Sequence, residues 1–221
     1  MDDINELEAE LYIKFKGEII MQVQNIVFNN KWNTKDYITL AIFNVVMIVI
    51  LTITTTFTHA LSYLIGGGIA ALVNGPIYMV MSNKINKRGI LFFTSIITGL
   101  YFLMFGFLYF LITLAAVGIL CELVMWGKNT YKNTFRNAIG YGIFYAGYSL
   151  CGVVPLVFFR EQYVAMLAKS YSQEQLDNLL FYYGTPSMVV VMCCISIVGG
   201  VGGCFIGNQL LKKHVKKAKL V

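Results

Sequence analysis

A short basic segment between two long apolar runs constrains how this chain can fold. The segment covers residues 75–89 and carries Lys84, Lys87 and Arg88. Short loops rich in Lys and Arg stay on the cytoplasmic side of a membrane, which is the basis of the positive-inside rule. The segment therefore predicts a membrane-embedded chain and places this loop in the cytoplasm.

The composition supports a chain dissolved in lipid. It is 57% hydrophobic and only 13% charged, whereas soluble domains carry about 25% charged residues. Backbone groups in hydrocarbon must be satisfied internally, so a spanning chain forms either helices or a closed barrel. The apolar runs are ~20 residues or longer, which is the length of a spanning helix rather than of a barrel strand. The fold class we predict is all-α and polytopic.

The longest apolar run fixes the number of crossings. Ile90 to Trp126 is 37 residues, which would make a helix of about 55 Å against a hydrocarbon core of about 30 Å. The next basic cluster (Lys128, Lys132 and Arg136) must return to the side of Lys84 and Arg88, which requires an even number of crossings. We therefore expect two spans with a tight turn near Gly106.

The same reasoning divides the whole chain. Residues 1–35 are expected to form a cytosolic or interfacial amphipathic segment, residues 36–211 a six-helix transmembrane domain, and residues 212–221 a basic cytoplasmic tail. Thr34 is a plausible N-cap of the first span, Pro76 is expected to kink the second without breaking it, and a short helix is expected near residues 174–180. The predicted spans cover about 36–57, 61–81, 90–106, 107–126, 137–158 and 185–211.

The distribution of charge agrees with this topology. With both termini in the cytoplasm, fifteen of the seventeen Lys and Arg residues are cytoplasmic, and only Arg160 and Lys169 lie outside. We therefore predict a multi-pass protein of the cell membrane. The basic residues form short clusters beside apolar spans, so the net charge of +6 reflects topology and does not indicate nucleic-acid binding.

Catalytic chemistry is not expected. Apart from Asp36 at the very start of the first span, Glu122 is the one carboxylate in a predicted span, and its nearness to Trp126 and Lys128 favours a structural hydrogen bond or ion pair over a proton relay. His59 lies at the opposite end, so the two cannot form an acid–base pair. The hydrolase and phosphate-binding motifs are absent from the sequence, and no cysteine has a histidine at metal-ligand spacing. We expect neither an enzyme nor a bound metal or cofactor.

Two patterns in the fifth and sixth spans concern packing. Gly199, Gly203 and Gly207 recur every four residues, which lets helix backbones approach closely; packing inside the bundle is the favoured interpretation over a contact between subunits. Tyr145 and Tyr148 belong to an aromatic series in the fifth span. Such series usually pack, but tyrosine hydroxyls in hydrocarbon need partners, which favours a polar cavity reached from outside. The candidate substrate-binding residues of this cavity are Asn44, Thr58, His59, Tyr63, Tyr145, Tyr148 and Tyr183.

Two stretches resemble a known family. Residues 32–36 (Trp-Asn-Thr-Lys-Asp) lead into the first span, and Gly75-Pro-Ile-Tyr-Met is followed by the basic cluster that ends at Gly89. These stretches are similar to the Trep_Strep family, which is grouped with the substrate-binding (S) components of energy-coupling factor transporters.

That resemblance implies a function and partners. An S component captures a small vitamin-like molecule from outside and topples against a transmembrane T component that works with two cytosolic ATPases. S components often dock through small residues four apart on the first span; the matching positions here are Ala41 and Val45, so a β-branched residue replaces the second. A stand-alone permease or channel and a structural membrane subunit are the alternatives.

Overall fold

The computed structural model describes residues 15–18, 31–59, 62–127 and 129–215. Across these ranges every regular element is a helix and none is a strand, so the predicted all-α class is confirmed. Most of the predicted N-terminal amphipathic segment, the end of the basic tail and the side chain of His59 lie outside the described residues.

Besides the helical residues 15–18, nine α-helices organise the described chain, and we number these nine in chain order. A 3₁₀ turn over Thr130–Lys132 precedes the fifth, and a π-helical turn over Leu211–Val215 follows the ninth. The helices are α1 (Thr34–His59), α2 (Gly66–Ile85), α3 (Ile90–Leu103), α4 (Leu108–Val124), α5 (Thr134–Leu150), α6 (Val153–Phe158), α7 (Arg160–Leu167), α8 (Gln173–Gly184) and α9 (Pro186–Leu210).

Length and composition distinguish two of these helices. Within the described ranges, Thr34–Thr58 and Pro186–Lys213 are long and apolar enough to cross a membrane. Helices α3 and α4 are also apolar but shorter. Helices α2 and α5 are less apolar, because α2 contains polar residues and Pro76 and α5 contains tyrosines. Helix α2 continues through Pro76 without a break, as expected.

Reciprocal side-chain caps define where two helices begin. The Asn33 side chain accepts a hydrogen bond from the backbone N–H of Asp36 (3.0 Å), whose carboxylate accepts one from the Asn33 N–H (2.8 Å). This reciprocal pair makes Asn33 the cap, so the assignment to Thr34 is wrong; Thr34 is already the first helical residue. Ser172 and Gln175 form the same arrangement at the start of α8, where the sequence predicts a short helix.

Two short connections interrupt the helices, at Gly106 and at Gly152, and the sequence predicts only the first. Gly106 has φ +87° between α3 and α4, a conformation that glycine adopts without steric cost, so the turn predicted there is confirmed. The apolar stretch 137–158 is not one helix, because α5 ends at Leu150 and α6 begins at Val153. The break lies at Gly152, where a Cβ would meet the Tyr183 ring at 2.8 Å.

A glycine seam joins α2 to α9 along their length. A Cβ on Gly199 would lie 2.1 Å from the carbonyl oxygen of Gly68, and a Cβ on Gly75 would lie 2.3 Å from the carbonyl carbon of Gly203. Gly207 packs in the same way against Pro76. These backbone contacts confirm that the glycines spaced by four pack within the bundle.

Two apolar clusters result from this packing. The main core runs through α1 to α5 and α9, and includes Tyr78 stacked on Tyr141 with ring centroids 4.4 Å apart. A second cluster holds together helices α6 to α8, which we call the outer cap (residues 153–184). Its buried members are Leu156, Tyr163, Leu167, Leu176 and Leu179.

Candidate functional site

A cavity of about 360 Å³ opens between the outer cap and the bundle. It lies where α1, α3 and α5 end and where α2, α4 and α9 begin. This is the end of the bundle away from the basic loops, and hence the end that the sequence predicts to face outward. We call it the outer cavity.

The lining of the outer cavity is aromatic and hydroxylic. Ten of its nineteen lining residues are aromatic, and no charged side chain is among the described residues that form it. A ligand that fits such a lining is small, uncharged and partly apolar. The aromatic members are Tyr63, Tyr101, Phe102, Phe105, Phe107, Phe110, Tyr148, Tyr163, Tyr171 and Tyr183, and the aliphatic hydroxyls are Thr52, Thr55, Thr56 and Ser149.

Hydrogen bonds between helices hold the cavity wall in place. The hydroxyls of Thr52 and Tyr101 lie 2.8 Å apart and join α1 to α3. The hydroxyls of Ser149 and Ser196 lie 2.7 Å apart and join α5 to α9. A Cβ on Gly67 would lie 2.6 Å from the Ser149 hydroxyl, so glycine at this position lets α2 approach that pair.

The cap side of the cavity combines tyrosines with Leu167 and Leu179. The Tyr63 and Tyr183 rings have centroids 5.9 Å apart, and Tyr163 is buried in the cap cluster. Burial raises the pKa of both the Tyr163 and the Tyr183 hydroxyl, with smaller contributions from neighbouring tyrosines. These hydroxyls are therefore neutral near pH 7 and keep the hydrogen that they can donate to a ligand.

The structure distributes the candidate binding residues between the cavity and the core. Tyr63, Tyr148 and Tyr183 line the outer cavity together. Asn44 does not, because its side chain is buried and donates to the Leu40 carbonyl oxygen at 2.9 Å. Thr58 and Tyr145 do not line the cavity either: the Thr58 hydroxyl donates to the carbonyl oxygen of Thr54, and the Tyr145 hydroxyl accepts from the Asn74 amide. The His59 side chain lies outside the described residues.

Several lining residues were missed by sequence reasoning. The most informative are Tyr101, Phe102 and Phe105, at the end of α3, and Tyr163 and Tyr171, in the outer cap. The aromatic run at 101–105 next to the predicted outer turn was a usable signal. Nothing in the sequence pattern indicates that the cap folds back over this end of the bundle.

A buried polar centre lies deeper in the bundle. The Asn74 amide donates to the Met47 carbonyl oxygen (3.1 Å) and to the Tyr145 hydroxyl (3.0 Å). The Tyr78 hydroxyl donates to the side chain of Asn137 at 2.9 Å. These bonds join α1, α2 and α5 and satisfy the tyrosine hydroxyls that the lipid would leave without partners.

Glu122 lies at the end of the bundle opposite the outer cavity, where it makes structural hydrogen bonds. Its Oε1 accepts hydrogen bonds from the backbone N–H of Leu91 (3.1 Å) and Phe92 (3.4 Å) and from the Tyr131 hydroxyl. The carboxylate thus caps the N-terminus of α3, where the helix dipole favours negative charge. Burial, followed by the charge of Glu122, raises the pKa of Tyr131, so this phenol stays protonated and donates. The hydrogen bond expected for Glu122 is present.

No metal centre is evident in the part of the chain that the structure describes, where no three His, Cys, Asp or Glu side chains come close enough to hold an ion. At the end of the bundle opposite the outer cavity, which we call the inner end, Asp36 forms an ion pair with Lys87.

Comparison with known proteins identifies the family of this chain. No curated protein and no solved structure matches the chain. The family model described as a hypothetical bacterial integral membrane protein (Trep_Strep) matches residues 34–217, from the first residue of α1 to beyond the end of α9. Since the match covers most of the sequence, the chain belongs to the Trep_Strep family of bacterial integral membrane proteins.

Proposed function

We propose that this protein is the substrate-capture (S) subunit of an importer of the energy-coupling factor type, and that it binds a small, uncharged, partly apolar molecule from outside the cell. The observation that carries the proposal is the outer cavity, whose lining combines ten aromatic rings with aliphatic hydroxyls. The protein acts by binding and carries out no chemical conversion of its ligand.

The size and chemistry of the cavity suit this role. Its volume of about 360 Å³ falls in the range typical of small-molecule sites, which are mostly apolar with a few polar groups that orient the ligand. Aromatic side chains such as Phe102 and Tyr148 offer faces for a flat heterocycle. The hydroxyls of Thr55 and Tyr163 would orient it by hydrogen bonds.

The energy for transport comes from partners in this proposal. The sequence has no nucleotide-binding motif, and coupled proton movement through a membrane requires a chain of ionisable groups. Glu122, in the inner half, is engaged with the start of α3, far from the outer cavity. We therefore propose a transmembrane T component and two cytosolic ATPases as partners.

The partner surface proposed for docking is one side of α1. Ala41 and Val45 lie on this side, with Ile42 and Val49 beside them, and all four are exposed. The opposite side of α1, with Leu40, packs into the main core. In an integral membrane protein, an exposed apolar helix side contacts either lipid or another membrane subunit, and we assign this one to the T component.

Co-purification tests the proposal. The tagged protein is extracted from its native host in mild detergent, and its partners are identified by mass spectrometry. We expect ATPase subunits with the wild type and their loss with Val45→Trp, which adds bulk to a residue that is 60% exposed. Ile112→Trp is the matched control, since Ile112 is 59% exposed on α4 and away from the proposed docking side.

Two outcomes would contradict the proposal. Partners that include no ATPase would favour a structural membrane subunit. Import by this chain alone, in proteoliposomes without ATPases, would favour a stand-alone permease.

A further inference from the structure

A second cavity, which we call the inner groove, lies at the end of the bundle opposite the outer cavity. It has a volume of about 490 Å³ and is formed where α3 begins and α4 ends. Its lining residues are Trp32, Arg88, Gly89, Phe92, Phe93, Ile119, Glu122, Leu123 and Trp126.

The walls of the inner groove are apolar and open to the side of the protein. Ile119 and Leu123 are 55% and 59% exposed on α4, and Trp126 is 66% exposed just beyond its end. In an integral membrane protein, such exposed apolar side chains are available to lipid. Tryptophan is enriched at the boundary between the hydrocarbon and the headgroups, which suits the positions of Trp126 and Trp32 near the ends of apolar helices.

Positive charge is concentrated at the polar end of the groove. The Arg88 guanidinium lies 4.8 Å from the centroid of the Trp126 ring, which is a cation–π geometry. The Arg136 side chain donates from Nη1 to the Trp126 carbonyl oxygen at 2.8 Å, and a Cβ on Gly127 would lie 3.1 Å from the same nitrogen. Two guanidinium groups therefore converge on one short segment.

Glu122 is the one acidic side chain among the described residues that line the groove, and two guanidinium groups against one carboxylate leave a net positive charge. The Oε1 of Glu122 is engaged by the backbone of Leu91 and Phe92 and by the Tyr131 hydroxyl. It serves the start of α3, whereas Arg88 and Arg136 lie around Trp126.

We infer that the inner groove binds one anionic phospholipid of the cytoplasmic leaflet. Its phosphate lies beside Arg88 and Arg136, and one acyl chain lies along Ile119 and Leu123. Arginine suits this contact because its planar guanidinium binds phosphate with two donors, and basic pockets between helices on the cytoplasmic side bind anionic headgroups. The inference does not depend on the function proposed for the outer cavity.

The chain's own fluorescence can test this site, because both of its tryptophans line the inner groove. The full chain is reconstituted in phosphatidylcholine nanodiscs, and tryptophan quenching is measured as brominated phosphatidylglycerol or brominated phosphatidylcholine is titrated in. We expect half-maximal quenching at a clearly lower mole fraction of the anionic lipid. Arg88→Gln and Arg136→Gln should each reduce this preference by about fivefold, the contribution of one basic residue near an anionic surface.

A matched variant and two outcomes make the test decisive. Lys84→Gln removes one positive charge from an exposed residue of the same basic segment and should leave the preference unchanged. Equal quenching by the two lipids in the wild type would overturn the inference, as would equal effects of Lys84→Gln and Arg136→Gln. Arg136 is exposed, so its variant supplies the result even where Arg88→Gln impairs folding.

Discussion

The glycine seam between α2 and α9 and the outer cavity beside it are two neighbouring regions with opposite packing. Along the glycine seam the backbones of the two helices touch, with Gly199 against Gly68 and Gly203 against Gly75. The close contact continues to the outer end of α2, where a Cβ on Gly68 would lie 2.8 Å from the Ile195 carbonyl oxygen, and Gly67 and Met192 of the same two helices border the outer cavity. In lipid, helices associate through close packing of small residues rather than through the hydrophobic effect. The seam therefore supplies the rigid frame, and the aromatic side chains around it leave space that a ligand can occupy.

The strongest test of this contrast adds one methyl group to the seam. Gly199→Ala should destabilise the protein by about 2–3 kcal/mol, the upper part of the usual range for overpacking, because the new Cβ would lie 2.1 Å from the carbonyl oxygen of Gly68. The measurement is thermal or denaturant unfolding in detergent.

Gly202→Ala is the matched control on the same helix. There the nearest atom to an added Cβ is a Leu72 methyl carbon at 3.3 Å, and alanine is a better helix former than glycine by about 1 kcal/mol. We expect little change or a small gain. Equal destabilisation by the two variants would contradict the claim that the seam is the rigid frame.

The next largest effect is expected at the inner end. Glu122→Ala leaves the N–H groups of Leu91 and Phe92 and the Tyr131 hydroxyl without their acceptor, which should cost about 2 kcal/mol of unfolding free energy. Glu122→Gln keeps a carbonyl oxygen in place and should cost less. A loss of ligand binding with unchanged stability in either variant would show that Glu122 belongs to the transport site and not to the frame.

Filling the outer cavity should affect binding and not stability. Thr56 lines the cavity and is exposed, so Thr56→Trp should change the unfolding free energy by less than about 1 kcal/mol while weakening ligand binding by at least about tenfold. Thr39→Trp is the control, because Thr39 lies at the other end of α1 and makes the same hydrogen bond to the carbonyl oxygen four residues before it. Equal effects of both variants on binding would argue against the outer cavity as the site.

The smallest effect is expected from pH. Burial raises the pKa of Tyr163 and Tyr183, so both remain protonated in the folded state at pH values where the unfolded chain begins to lose these protons. Stability should thus be insensitive to both tyrosines from about pH 6 to 9 and should fall above the ordinary tyrosine pKa of about 10. The measurement is the unfolding free energy of the wild type and of Tyr163→Phe as a function of pH across this range. The difference in unfolding free energy between the two proteins should change with pH only at the alkaline end. A difference that changes with pH near pH 7 would contradict a neutral lining.

Much of the fold follows from physical rules that act on the sequence. The apolar runs and the need to satisfy backbone groups in lipid predict helices, and Gly106 marks a turn because it tolerates positive φ. The spacing of Gly199, Gly203 and Gly207 predicts a packed seam. Helix ends that depend on single side-chain contacts are harder, as the cap at Asn33 and the break at Gly152 show.

The binding site is predicted less completely than the fold. Tyr63, Tyr148 and Tyr183 line the outer cavity, but Asn44 and Tyr145 do not. In a helix that is apolar on every side, the sequence does not indicate which side faces the core, since lipid and protein interior are equally apolar. The outer cap adds residues far apart in the chain, and its placement depends on tertiary contacts.

Native mass spectrometry tests the central claim most directly. The wild type, purified from its native host in mild detergent, should carry one small uncharged molecule per chain; the Thr39→Trp variant should retain this molecule, and the Thr56→Trp variant should lose it. A wild-type protein that carries no small molecule, or a Thr56→Trp variant that carries the same one, would contradict the assignment of the outer cavity as the substrate site.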